Sequence, residues 1–269
     1  MKLVESVLLG LGACILATPV DASDRLTDRD VKELVSKIEE GRDRFDDALD
    51  DRLKRSIVRG PGGEVDVGQF LDDFQENIDR LEERLKPEYA ASAEAATLLR
   101  QASGIDRFFR QQRAGTKGES EWNRLATDLK TLAVAYGADF PLTDGETVRR
   151  IGDRELAGMA DEIARSAERL KRSLDNDLKK DPAVEKPERE AIVREADLLS
   201  KDAKTLRGRV KDGKPSSAEA DRVIQRAAKL RAFIERGQFP ASSTAWADVS
   251  PRIQTLADAY GTASVTAAR

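Results

Sequence analysis

One segment of this chain occurs twice. Residues 122–137 read WNRLATDLKTLAVAYG and residues 246–261 read WADVSPRIQTLADAYG, and seven of the sixteen positions are identical in register. The match extends outward. An offset of 125 aligns 26–55 with 151–180, and 92–109 with 217–234; one residue is lost before Trp246, where the offset becomes 124. A chain that repeats in this way is built from two structural units, each burying an equivalent apolar surface. The boundaries are residues 26–137 for the first unit, 138–150 for a linker and 151–261 for the second. The linker region begins just after Gly137 and contains Pro141 and Gly145, which interrupt helical pattern.

Each copy carries four amphipathic stretches. The first places Val31, Leu34, Val35, Ile38, Phe45, Leu49 and Leu53 at helical steps; its counterpart places Leu156, Met159, Ala160, Ile163, Leu170, Leu174 and Leu178. Val67, Phe70, Leu71, Phe74, Ile78, Leu81 and Leu85 answer to Ile192, Ala196, Leu199, Ala203, Leu206 and Val210. A third pair of stripes runs from Ala95 to Phe109 and from Ala220 to Ile234. The twice-written segment is the fourth, with Trp122, Leu125, Leu129, Leu132 and Tyr136 on one face. Thr27, Asp66 and Ser216 sit where helix N-caps are expected, Asp66/Gln69 and Ser216/Glu219 with capping-box spacing. Gly137 and Gly261 sit where left-handed C-caps end a helix. The expected fold is all-α: two tandem antiparallel four-helix bundles from an internal duplication. GPGG at 60–63 reads as a helix-to-helix turn. Thr127 becomes Pro251 in the second copy, so the last helix is expected either to kink there or to restart with Ser250 as its cap.

Composition narrows the chemistry. There is no His, and the one Cys is Cys14. That removes the usual zinc, copper and haem ligand sets, and Cys or His nucleophile and base chemistry. It also removes the Glu-x-x-His pairs of a di-iron bundle. The adjacent carboxylates Asp46/Asp47, Asp50/Asp51, Asp72/Asp73 and Glu82/Glu83 are interleaved with Arg and Lys and read as solvated helix faces. The net charge is −4, with signs alternating along the chain, and nucleic acid is not an expected partner. RFFRQQR at 107–113 is the nearest approach to a basic aromatic patch, and RAFIERG at 231–237 keeps its apolar pair while losing most of its charge. That reads as core anchoring. No residue is assigned a catalytic, cofactor-binding or metal-ligating role.

Residues 1–22 read as an address. Lys2 precedes an apolar run from Val7 to Val20, and small residues precede Ser23, the layout of a cleaved signal peptide. The run is shorter than the roughly 20 residues of a membrane span. LGAC at 11–14 resembles a bacterial lipobox, the alternative being a lipoprotein tethered through Cys14. The expectation is an exported, periplasmic or extracellular, non-enzymatic helical scaffold whose partner is another envelope protein. The alternative is a carrier of a small apolar or lipid ligand, with Ala196, Ala203 and Ala227 leaving room in the second core.

Overall fold

A computed structural model describes residues 25–60, 63–111, 117–143 and 145–261. The leader lies outside the described residues. The fold is helical, as expected, with one two-stranded hairpin among the described residues.

Helix α1 (Asp28–Ala48) opens on a capping box: Thr27 Oγ1 accepts from Asp30 N–H, and the Asp30 carboxylate accepts from Thr27 N–H. It does not run on to residue 55. It stops at Leu49, Asp50 caps the short helix α2 (Asp51–Lys54), and strands β1 (Ile57–Gly60) and β2 (Gly63–Asp66) pair antiparallel around GPGG. The expected helix-to-helix turn is therefore a hairpin. The reason lies in charge. Asp46 and Asp47 fall at the C-terminal end of α1, where the macrodipole disfavours carboxylates, and the counterparts Lys171 and Arg172 favour continuation. Asp50 then captures Leu53 N–H at 2.8 Å and starts a new turn.

Helix α3 (Val67–Arg84) begins at Asp66, whose side chain accepts from Gln69 N–H. Helices α4 (Ser92–Gln111) and α5 (Glu119–Ala135) complete the first set. α1 packs on α3 and α5, and α4 packs on α3 and α5, closing a ring around one apolar core. Phe45, Phe109 and Trp122 meet in its outer layer, Phe109 stacked on Trp122 at 5.9 Å and Phe45 edge-on to Trp122 at 5.2 Å. So RFFRQQR does anchor the core, through Phe109. Helix α5 ends at Gly137, which takes φ +67°, and Ala138 N–H reaches back to Ala133 C=O. Gly261 ends the last helix in the same left-handed conformation.

The second set comprises α6 (Asp153–Lys180), α7 (Lys186–Lys211), α8 (Ser217–Arg236) and α9 (Pro240–Ala259), packed in the same cyclic order around a second core. α6 is unbroken over the length where α1 breaks. Ala160, Ala164 and Ala167 on α6, and Ala196 and Ala203 on α7, are wholly buried, and α6–α7 is the most extensive helix contact. Small side chains there let the two backbones approach.

One local expectation changes and one of the two alternatives at Pro251 drops out. Ser216 makes no capping bond, because its hydroxyl is taken by Tyr260 Oη at 2.7 Å, and Glu219 turns to Arg209 and Arg222. Helix α9 neither ends nor restarts at Ser250; it runs through Pro251 to Ala259. Trp246 is only half-buried, whereas Trp122 is 1% exposed.

Candidate functional site: a reciprocal joint between two helix ends

Helices α1 and α6 meet N-terminus to N-terminus. Such a contact opposes two positive dipole ends and eight backbone N–H groups that lack intrahelical partners. The sequence answers with one Asp at the first helical position of each helix. Asp153 N–H donates to Asp28 Oδ2 at 2.9 Å, and Asp28 N–H donates to Asp153 Oδ2 at 2.8 Å. Each helix thus caps the other. This matters most for α6, whose own N-cap, Gly152, has no side chain to do so.

The residue three before each Asp repeats the exchange. Arg25 Nη1 donates to Asp153 Oδ1 at 2.6 Å, and Arg150 Nη2 donates to Asp28 Oδ1 at 2.9 Å. Arg25 also donates to Ile151 C=O, and Arg150 to Leu26 C=O at 2.7 Å. Every one of these pairs maps onto the other by the offset of 125. The contact is isologous, as in a two-fold dimer, though it lies within one chain.

Further duplicated contacts surround the centre. Arg84 pairs with Glu94 at 3.8 Å and Arg209 with Glu219 at 3.3 Å. Tyr136 Oη donates to Ala90 C=O at 2.7 Å, where Tyr260 uses Ser216. Burial raises both phenols above the usual tyrosine value. Arg149 N–H donates to Tyr136 C=O and Arg150 N–H to Ser92 Oγ, so the strap before α6 lies across the end of the first core.

Arg150 is the most committed charge in the molecule. Its side chain is 1% exposed. Burial, and then neighbouring Arg25, lowers its pKa, yet a guanidinium stays charged. Its Nε and Nη1 have no hydrogen-bond partner among the described residues. Asp28 therefore carries most of the compensation for a desolvated cation. The two Arg and two Asp balance in formal charge, and the arrangement holds two helix ends together.

Among the described residues, clefts on the surface include the following. One, about 340 Å³, sits beside the joint between Tyr89 and Arg154. A second, about 500 Å³, runs between α6 and α9 where Gly158 faces Pro251. A third, about 380 Å³, opens between α4 and α5 over Asp106. None is lined by Ala196, Ala203 or Ala227. Among the described residues no group of three or more carboxylates is placed to hold a metal ion, and no helix is long and apolar enough to cross a membrane. The paired carboxylates behave as surface groups: Asp46 meets Lys54 at 2.8 Å, and Asp50 serves as a cap.

Sequence reasoning located no site and missed Arg25, Asp28, Asp106 and Arg150. A signal was present for the joint, since R-x-x-D occurs at 25–28 and again at 150–153. Nothing marked Asp106, whose counterpart is Arg231. Comparison of the chain with family models, curated proteins and solved structures found no match.

Proposed function

We propose that the protein is an exported, non-enzymatic helical scaffold made of two tandem antiparallel four-helix bundles that arose by internal duplication. The reciprocal joint carries this reading. The buried charges at the centre of the molecule are committed to fixing one helical unit against the other, end to end. The described chain enters at Arg25 and leaves at Gly261, both at this waist, and the hairpin and the 181–185 turn lie at opposite far ends. With α6 spanning about 42 Å and α1 about 32 Å at 1.5 Å per residue, each unit displays long charged faces. Such faces suit another protein of the cell envelope. Cleavage before Ser23 frees the scaffold; lipidation of Cys14 tethers it.

Photo-crosslinking in the native cell tests the reading. Exposed positions Asp73 on α3 and Lys229 on α8 each receive a crosslinker. Reproducible capture of one envelope protein is the expected result. Absence of any partner from both faces overturns the scaffold assignment. Intact-mass measurement of the same material locates the N-terminus and any lipid on Cys14.

A further inference from the structure

The cleft between α4 and α5 holds polar groups that the fold does not require. Its floor is Asp106, 3% exposed. Asp106 Oδ1 accepts from Trp122 Nε1 at 3.3 Å, and Oδ2 accepts from Arg110 Nε at 2.5 Å. Taking a carboxylate out of water is costly unless it is fully paired, and here it uses up the Arg110 charge in doing so. Along α5 the rim is formed by Glu119, Asn123, Thr127 and Lys130, and Phe140 closes the end nearest the linker.

The second unit supplies a control within the molecule, if the two units are copies as proposed above. At the positions of Asp106, Arg110, Asn123, Thr127 and Lys130 it has Arg231, Glu235, Ala247, Pro251 and Gln254. The same helices pack around the same kind of core without this set. Trp246 there is partly buried rather than fully buried over a carboxylate. A core of this kind therefore packs without the polar groups of the first cleft.

What remains uncommitted sets the ligand. Asp106 and Arg110 neutralise each other, and Glu119 is engaged. Lys130 makes no ion pair and the Asn123 amide no hydrogen bond among the described residues, and both are exposed. One free ammonium and one free amide stand beside the partly buried Phe140 ring, the Ala126 methyl and the edge of Phe109. About 380 Å³ is within the usual range of small-molecule sites. We propose that this cleft binds a small organic monoanion with an apolar body, its anionic group on Lys130 and Asn123 and its body against Phe140 and Phe109. A polyphosphate would need more than one uncommitted cation, and an organic cation would find no uncommitted carboxylate.

The test uses the full mature chain and two fluorine-labelled probes of one shape, trifluoromethylphenylacetate and trifluoromethylbenzylamine. Fluorine NMR at millimolar probe is expected to show saturable broadening of the anion and none of the cation. Lys130→Gln, which installs the residue found at 254, is expected to weaken the anion about tenfold, and Asn123→Ala to weaken it further. Both positions are exposed, so the thermal midpoint should not move, and a circular dichroism melt checks this. Equal binding of both probes, unchanged binding by Lys130→Gln, or no broadening by the wild type overturns the proposal. The outcome is separate from the scaffold test, because probe binding does not depend on a captured partner.

Discussion

Replacing Asp28 by Ala should destabilise the protein by about 3–5 kcal/mol, the range for removing one partner of a buried ion pair. The figure can be built from the contacts. Arg150, 1% exposed in the native protein, loses its hydrogen-bonded carboxylate and keeps only Asp153 at 4.0 Å, and a hydrogen bond to a charged group contributes about 1.5–3 kcal/mol. Asp153 N–H loses its acceptor at the first turn of α6, a capping loss of about 1 kcal/mol. The opposed dipole ends lose one of their two compensating charges. A second change separates the stranded cation from the missing contact. Arg150→Met removes the charge that Asp28 compensates, so Asp28→Ala in that background should cost about 2 kcal/mol less than in the wild type. Glu33→Ala serves as the reference, since its pair with Arg29 is exposed and such pairs contribute about 0–1 kcal/mol. The assay is urea unfolding followed by circular dichroism and by fluorescence in Trp122→Phe and Trp246→Phe backgrounds. Each background leaves one tryptophan reporting one unit. A joint that couples the units moves both transitions together. A cost for Asp28→Ala below about 1 kcal/mol, or additivity with Arg150→Met within about 0.5 kcal/mol, would refute the account of the joint.

Trp122→Ala should cost about 3–5 kcal/mol, and more than Trp246→Ala, because Trp122 is buried against Phe45 and Phe109 and donates to Asp106 whereas Trp246 is half-buried; chemical denaturation of the two variants gives the comparison. Pro251→Ala should stabilise the second unit by about 1–3 kcal/mol, since α9 continues through the proline and the substitution restores an N–H to the helix; calorimetry should show a higher midpoint, and no rise would mean that position 251 starts a helix instead. Asp197 should titrate near pH 2, because hydrogen bonds from Lys171 and then Lys201 hold its pKa down to about 2. Its native pKa is depressed, so its stabilising contribution is complete above the ordinary carboxylate pKa and is lost as pH falls from about 4 toward 2; carbon-detected NMR should show the value rising on Lys171→Met.

The fold was legible where burial dictates residue type. Val31, Ile38, Leu129 and Leu132 have no exposed surface, and the steps of three and four that reveal them follow from helix geometry alone. Caps were legible when their partners lie within one turn, as at Thr27 and Asp66. Ser216 has the same local pattern, yet Tyr260, 44 residues away, competes for its hydroxyl and wins. Local spacing carries no record of that competitor. Asp28 and Arg150 were illegible for the same reason: on a helix end a lone Asp reads as a cap and a lone Arg as solvated, and their pairing spans 122 residues. The repeat in the sequence nevertheless held part of the information in another form. Arg25/Arg150, Asp28/Asp153, Arg84/Arg209, Glu94/Glu219 and Tyr136/Tyr260 are identical between the repeats, as are Asp50/Asp175 and Lys54/Lys179 at the far end, while EKPE stands in place of GPGG and Arg231 in place of Asp106. A reciprocal contact accounts for the identity of Arg25/Arg150 and Asp28/Asp153. Arg25 and Asp28 of the first unit pair with Asp153 and Arg150 of the second, so a change on either side meets an unchanged partner and strands a charge, whereas Arg84–Glu94 and Arg209–Glu219 each pair within one unit. Away from those pairs, no such exchange among the described residues ties one unit to the other, and a hairpin in the first stands where the second has a turn.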